Sequence, residues 1–297
     1  VICFLMAPRT NRFTISEFLF EYAPKMVPRI RFIDVERIAN GERVDAKTWI
    51  FVGHDEATDP QSRSQMLAVE AKLRNENQRV FNMPSRVLGR FELLKKLYEV
   101  GINTYNVHDA DPTQMAAWRF PVFVRPRHEH ERTSILLHHK ADAERLFAQH
   151  PQLASPDSMV TEYVDTAEKG GVWNGIYRKY SVQRIGDRYV ARHVIFSRNW
   201  VTKTSDVVEM ALSAEDAAFV GIKHQPPILP EVIRAFEIAG IEYGRIDYGL
   251  LNGKPQIWEI NINGVLVPRL GRINSQRHRA QKVSAKRCVD AFEAILK

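Results

Sequence analysis

Between residues 243 and 261 apolar and polar positions alternate with a period of two, the spacing of half-buried strands. Ile246, Tyr248 and Leu250 interleave with Arg245, Asp247 and Gly249, and Trp258 and Ile260 interleave with Ile257, Glu259 and Asn261. Asn252-Gly253 between the two runs is a hairpin signal. A two-residue loop pairs Leu251 with Lys254 and puts Glu259 on the face away from Asp247. An odd-length loop gathers Arg245, Asp247, Glu259 and Asn261 on one face and the apolar set on the other. A slip of one residue would mix the two faces, so the pattern predicts the odd-length loop.

The rest of the chain alternates in the same legible way. Strands at 1–7, 30–35, 48–53 and 79–82 enclose helices at 16–22 and 61–75, which argues for a small open sheet covered by helices. Met83-Pro84-Ser85 breaks that pattern. Ser85 or a neighbour then caps a helix running to Glu99, with Leu88, Phe91, Leu94 and Leu97 as its apolar stripe and Gly101 as its stop. A strand at 120–126 ends on Arg125-Pro126, followed by a helix at 141–149 and a strand at 159–164. Residues 177–185 and 188–197 form a basic, aromatic hairpin turning at Gly186-Asp187. Helices at 214–220 and 230–239 precede the 243–261 hairpin, and a helix at 275–297 ends the chain.

Composition narrows the class. Of 297 residues, 44% are hydrophobic and 26% charged, as in an ordinary soluble globular protein. No apolar run reaches membrane-span length, and the opening run, with no basic region before it, reads as a first strand instead of a signal peptide. The net charge of +7 permits an anionic ligand without demanding one. Cys3 and Cys288 stand at opposite ends and form no metal motif, so a reducing, cytoplasmic setting is expected. His128, His130, His138 and His139 lack a cysteine or a second spaced pair and read as loop histidines, not a zinc site. The arginine-rich stretch 269–287 reads as a helix's solvated face and part of a pocket wall, so nucleic acid is not the expected partner. Trp173, Trp200 and Tyr177 read mostly as packing residues.

On the polar face of the hairpin, two carboxylates and an amide oxygen suit a hard cation such as Mg²⁺, which leaves positions for phosphate oxygens. Adjacent carboxylates repel, so a metal or a basic partner has to be supplied. Arg245 can hold a phosphate by its planar fork. The competing reading is a solvated face with Arg245–Glu259 as a cross-strand ion pair.

The order of parts now becomes informative. An α/β front is followed by a helix near Arg90, a strand ending at Arg125 and a strand through Glu162-Tyr163-Val164-Asp165. A basic hairpin at Arg178-Lys179 then leads to Arg245-x-Asp247…Glu259-x-Asn261. This resembles the ATP-grasp superfamily, which includes D-alanine–D-alanine ligases and the enzymes that add glutamate to a ribosomal protein. The resemblance implies an α/β fold of three lobes: an N-terminal open-sheet lobe over 1–83, a central lobe over 84–160 and a C-terminal lobe over 161–297. The last two would be α+β lobes enclosing the nucleotide. It implies Asp247, Glu259 and Asn261 as Mg²⁺ ligands and Arg245 as the residue steadying the transferring phosphate. Glu162, Tyr163 and Val164 match the hinge that reads adenine, with Asp165 toward the ribose. Arg90 and Arg125 match lysines that reach the α- and β-phosphates, and Arg178 or Lys179 matches a basic residue above the phosphates.

The activity implied is an ATP- and Mg²⁺-dependent carboxylate–amine ligase working through an acyl phosphate. The alternatives are a kinase of a hydroxyl group and a non-catalytic nucleotide-binding module. The chain departs from the family in three places. Arginine replaces lysine at both phosphate positions. The segment 127–134, normally rich in glycine, has none, which shifts phosphate binding there to side chains such as Arg127 or Arg132. Gly264 stands where proline often follows the E-x-N segment. Nothing in the sequence encodes the carboxylate, the amine or the oligomeric state.

Overall fold

The structure, a computed structural model, describes residues 1–8, 10–53, 59–128, 133–203, 210–266 and 275–297, arranged around three sheets. β1 (Ile2–Met6) is apolar and buried throughout, as the centre of a parallel sheet requires. It lies between β2 (Ile30–Asp34) and β3 (Thr48–Val52), and β4 (Arg79–Phe81) pairs beyond β3, all parallel. Ile2, Phe4 and Met6 face α1 (Phe13–Tyr22) and α8 (Ser275–Ala294). Cys3 and Leu5 face α2 (Val35–Ala39) and α3 (Pro60–Asn75). This is the open sheet that the alternation predicts.

The middle sheet is antiparallel, in the order β5-β7-β6. Its members are β5 (Val107–Asp109), β6 (Val122–Pro126) and β7 (Ser158–Glu162), with α5 (Lys140–Gln149) packed on it through Ala143 and Phe147. The last sheet, in the order β11-β10-β8-β9, consists of two hairpins. They are β8 (Tyr177–Ile185) with β9 (Arg188–Ser197), and β10 (Tyr243–Leu251) with β11 (Lys254–Asn261). One face of this sheet offers Val182, Ile246, Tyr248, Ile257 and Ile260 to α4 (Arg90–Glu99) and α7 (Pro230–Ala239). On the opposite face Ile185, Val190 and Tyr243 pack against α8, and polar residues take the rest.

The helix expected from Ser85 starts instead at Arg90. Ser85 is occupied: its backbone N–H and its hydroxyl donate to the Glu70 carboxylate at 2.9 and 2.5 Å. The Leu88 N–H is given to the carbonyl of Ala239 at the end of α7, 3.0 Å away. Asn82 clasps the first sheet to the last: its amide donates to the carbonyls of Phe51 (3.1 Å) and Tyr243 (2.7 Å), and its carbonyl accepts from the Glu242 and Tyr243 N–H groups.

Two arginines expected on a solvated face turn inward. Arg277 and Asp216, at most 1% exposed, pair at 3.0 Å between α8 and α6 (Met210–Val220), and both also bind the backbone of Val194 on β9. Arg287 donates to the carbonyls of Val220 and Gly221, closing the C-terminal end of α6. Among the described residues, no helix is long and apolar enough to cross a membrane.

Candidate functional site

The site begins at the turn between β10 and β11. Asn252 and Gly253 have φ of 51° and 78°, the left-handed pair of a two-residue hairpin turn. Leu251 therefore pairs with Lys254, and the odd-length loop expected from the pattern is wrong. The face assignment survives by another route. The register shifts between Asp247 and Tyr248: Tyr248 pairs with Ile257, but Asp247 pairs with Glu259 and Arg245 with Asn261. Trp258 is the extra residue of a β-bulge. Ile257 thus joins the apolar core, while Trp258 stacks on Tyr105, ring centroids 5.5 Å apart.

With that bulge in place, a polar row crosses the whole sheet. His193, Ser181, Asp247 and Glu259 are direct neighbours on β9, β8, β10 and β11. Residues directly opposite across strands share a face, so the two acids lie side by side as expected. Each has a basic partner. Asp247 accepts from Arg245 at 3.1 and 3.2 Å and from the Ser181 hydroxyl at 2.5 Å, with Lys179 3.7 Å away. Glu259 meets Arg90 at 2.9 Å and Arg125 at 3.7 Å. The cross-strand Arg245–Glu259 pair of the competing reading does not form. Gly264 matters here: a Cβ at that position would stand 3.1 Å from the Arg245 Cβ, in the loop whose Val265 carbonyl accepts from Arg245.

This row floors a cleft of about 310 Å³ between the middle and last sheets, lined by Arg125, Glu162, Tyr163, Val164, Arg178, Lys179, Asp247 and Glu259. Phe123, Tyr177, Trp200 and Trp258 supply aromatic walls, so Trp200 and Tyr177 face the cleft while Trp173 packs in a neighbouring core. The Arg125 Nε is buried without a partner, which leaves a donor available to an anionic ligand. Burial, and then the neighbouring Arg90, pull its guanidinium down to about 10, so it remains cationic at neutral pH.

β7, whose end was expected to form the hinge, is braced from behind. The Glu162 carboxylate accepts from the Asn106 N–H (2.9 Å), Arg119 (2.8 Å) and His108 (3.1 Å). Burial alone would raise this carboxyl, yet these donors hold it below its ordinary value. The N–H groups of Glu162 and Tyr163 donate to the Asn106 and Pro121 carbonyls. The Val164 N–H has no partner among the described residues, and Val164 lines the cleft.

Not every expected residue is gathered there. Asp165 accepts from Tyr163, Ala167 and Lys169 and lines an adjoining hollow instead of the cleft. Asn261 gives its side-chain oxygen to the Asn263 N–H at 2.7 Å, which leaves that oxygen one further lone pair. Arg178 lines the cleft but is held by Glu215 and Glu168 at 2.7 and 2.6 Å. Arg127 is spent on Asp109 and on the Phe91 ring; Arg132 lies outside the described residues.

A second cavity of about 360 Å³ opens beside the first, lined by Thr14, Glu17, Lys179, His193, Lys203 and Arg245 among others. Lys179 and Lys203 line both cavities. Thr14 bonds Asn263 at 2.9 Å, which seats the start of α1 against the loop after β11. Ser181, His193, Lys203 and the α1 residues escaped the sequence reading. Burial pushes the Cys3 thiol up to about 12 and raises Cys288 too, so neither cysteine supplies a thiolate at neutral pH.

Among the described residues no group of three or more His, Cys, Asp or Glu gathers to hold a metal. A pair of carboxylates beside a polyphosphate is nonetheless the donor set Mg²⁺ takes, and Asp247 and Glu259 with the orphaned Arg125 Nε fit a metal–phosphate ligand.

No family model matches the chain, and no curated protein matches its sequence. Solved structures do match in fold. A structure of the ATP-grasp ligase PsnB with a minimal precursor variant, Mg and ADP aligns over 100% of this chain and 97% of its own, with a TM-score of 0.56 at 15% identity. D-alanine–D-alanine ligase from Bacillus anthracis with ATP aligns over 99% and 97%, with a TM-score of 0.53 at 12% identity. A RimK domain ATP-grasp protein from Sphaerobacter thermophilus aligns over 98% of both chains, with a TM-score of 0.53 at 13% identity.

Proposed function

The chain has the ATP-grasp fold, and we propose that it is an ATP-dependent ligase joining a carboxylate to an amine, with lobes at 1–83, 84–160 and 161–297. The observation that carries this reading is the juncture of two cavities at Lys179 and Lys203, with Asp247 on one side and Arg245 on the other. One cavity has the aromatic walls and hinge amide an adenine nucleotide needs; the other has room for an acid.

In this reading the Val164 N–H reads the adenine edge, and Phe123, Tyr177 and Trp200 flank the ring. Arg90 and Arg125 move from Glu259 to phosphate oxygens, for which a guanidinium fork is suited. A Mg²⁺ ion held by Asp247 and Glu259, with Asn261 completing the set, would neutralise phosphate oxygens and polarise the γ-phosphorus. Lys179, which lines both cavities, and Arg245, on the wall of the second, hold the transferring phosphate in line with the acid. A carboxylate oxygen attacks the γ-phosphorus, the bond to ADP breaks, and an acyl phosphate results. The amine nitrogen then attacks the acyl carbon, loses its proton, and phosphate departs.

ADP release screened over pooled amino acids and peptides, with mass spectrometry of the products, tests this. The expected result is ADP formed only with a productive pool, together with an amide product. With hydroxylamine as the amine, a hydroxamate should form. A phosphorylated alcohol, or ATP binding with no ADP from any pool, would overturn the ligase reading.

A further inference from the structure

The polar row does not stop at the acids. Its outermost member, His193, is 3% exposed and lines the second cavity. Its Nδ1 is buried without a partner, and neither ring nitrogen forms a hydrogen bond among the described residues. A buried imidazole left unbonded is costly, and native interiors rarely tolerate it unless a ligand completes it. The ring stays neutral: burial, then Arg245, Arg192, Lys179 and Arg277, drive its pKa well below the ordinary value. It therefore offers one N–H donor and one lone pair. Among the described residues the cavity wall carries Lys179, Lys203 and Arg245 with the Glu17 carboxylate at the α1 side, while Asp247 meets Arg245 and Lys179 from the cleft side. Ile195, Phe13 and Val265 add an apolar stretch of wall that suits a short carbon chain, beside the polar Asn11 and Thr14.

We propose that His193 is the specificity-determining residue of this cavity, and that its acid substrate is a compact one carrying a second anionic oxygen group besides the carboxylate that reacts. This rests on the ligase reading for the reacting end; the cavity's own preference does not. The reacting carboxylate lies at the Lys179–Arg245 boundary with the nucleotide cleft. The second group accepts the imidazole N–H within the same cationic wall. An acid with an apolar tail would bury that imidazole with no partner, and one with a terminal ammonium would add a cation to a wall already rich in them.

Three four-carbon acids that differ only in their far end test this: succinate, butyrate and 4-aminobutyrate. Binding is measured by isothermal titration and ligand-observed NMR on the full chain, with and without the ATP analogue AMP-PNP and Mg²⁺. Succinate should bind about 10- to 100-fold tighter than butyrate, and 4-aminobutyrate weakest. In His193→Phe the preference should collapse to about threefold or less, and His193→Gln, which keeps a donor and an acceptor, should restore part of it. Equal binding of succinate and butyrate, tighter binding of 4-aminobutyrate, no succinate binding at millimolar concentration, or a preference unchanged in His193→Phe would each overturn the proposal. The nucleotide arm separates the two readings. If AMP-PNP binds and succinate is not preferred, only the cavity assignment fails. If succinate is preferred while AMP-PNP does not bind, the ligase reading fails and the cavity assignment stands.

Discussion

Replacing Glu259 by Gln probes the two roles this account gives to one carboxylate. Without nucleotide, Glu259 is the counter-ion of Arg90 at 2.9 Å and Arg125 at 3.7 Å, with side-chain exposures of 19%, 9% and 13%. At an effective dielectric constant of ~20, those separations correspond to gross attractions of about 6 and about 4 kcal/mol. Desolvation of three ions and the repulsion between the arginines cancel most of that, and Gln keeps one acceptor oxygen. A net loss of about 2–3 kcal/mol is expected, near the low end for breaking a buried pair. In a chain of this length that lowers Tm by roughly 4–6 °C. Inorganic triphosphate should recover most of the loss in the variant, because an anion replaces the missing carboxylate between the two guanidiniums. Turnover responds differently: losing an ion ligand should reduce ADP release about 100-fold or more, while nucleotide affinity falls far less. Differential scanning fluorimetry and a coupled ADP assay read the two effects separately. A Tm within about 1 °C of the parent, together with ADP release within about twofold, would refute the reasoning.

Other perturbations address the frame around the site. Asp216→Asn removes the carboxylate that faces the buried Arg277 at 3.0 Å and should cost about 3–5 kcal/mol, seen as an earlier urea midpoint. Glu162 sits below its ordinary pKa in the fold, so its contribution is complete above the unfolded carboxylate value of about 4 and disappears as pH falls through the lower folded value. Urea midpoints followed from neutral to acid pH should therefore drop more steeply in the parent than in Glu162→Gln; parallel curves would count against the brace. Gly264→Ala adds a Cβ 3.1 Å from that of Arg245 and should slow turnover about tenfold with little loss of stability, since the guanidinium is displaced but the core is not. Unaltered kinetics in that variant would mean the loop yields freely.

Some of this molecule is legible in its pattern and some is not, for physical reasons. The β8–β9 hairpin follows from Gly186-Asp187 between two alternating runs, and β1 from an unbroken apolar run. The grouping of Asp247 with Glu259 was reached through the wrong loop: separating apolar from charged side chains dictates the face, but a bulge at Trp258 serves that end as well as an odd turn. Only the Asn252-Gly253 pair signalled the shorter turn. The start of α4 was misplaced because Ser85 looks like a cap locally, whereas Glu70, distant in sequence, claims it. β5 has three residues and no alternation to betray it. His193 was hidden by a second bulge, between Ser181 and Val182, which brings Arg192 to the core side and His193 to the row. The second cavity joins α1, β8, β9, β10 and the loop after β11, and no local spacing encodes such a meeting.

The central claim is that Asp247 and Glu259 jointly hold a divalent ion carrying a nucleoside triphosphate in the cleft beneath the hinge. Crystals grown with Mn²⁺ and AMP-PNP, measured at the manganese absorption edge, test it directly. The account predicts an anomalous peak bonded to oxygens of both carboxylates and of the analogue's phosphates, with adenine against the Val164 N–H. A peak elsewhere, or a nucleotide bound with Glu259 still on Arg90 and no metal between the two strands, would contradict it.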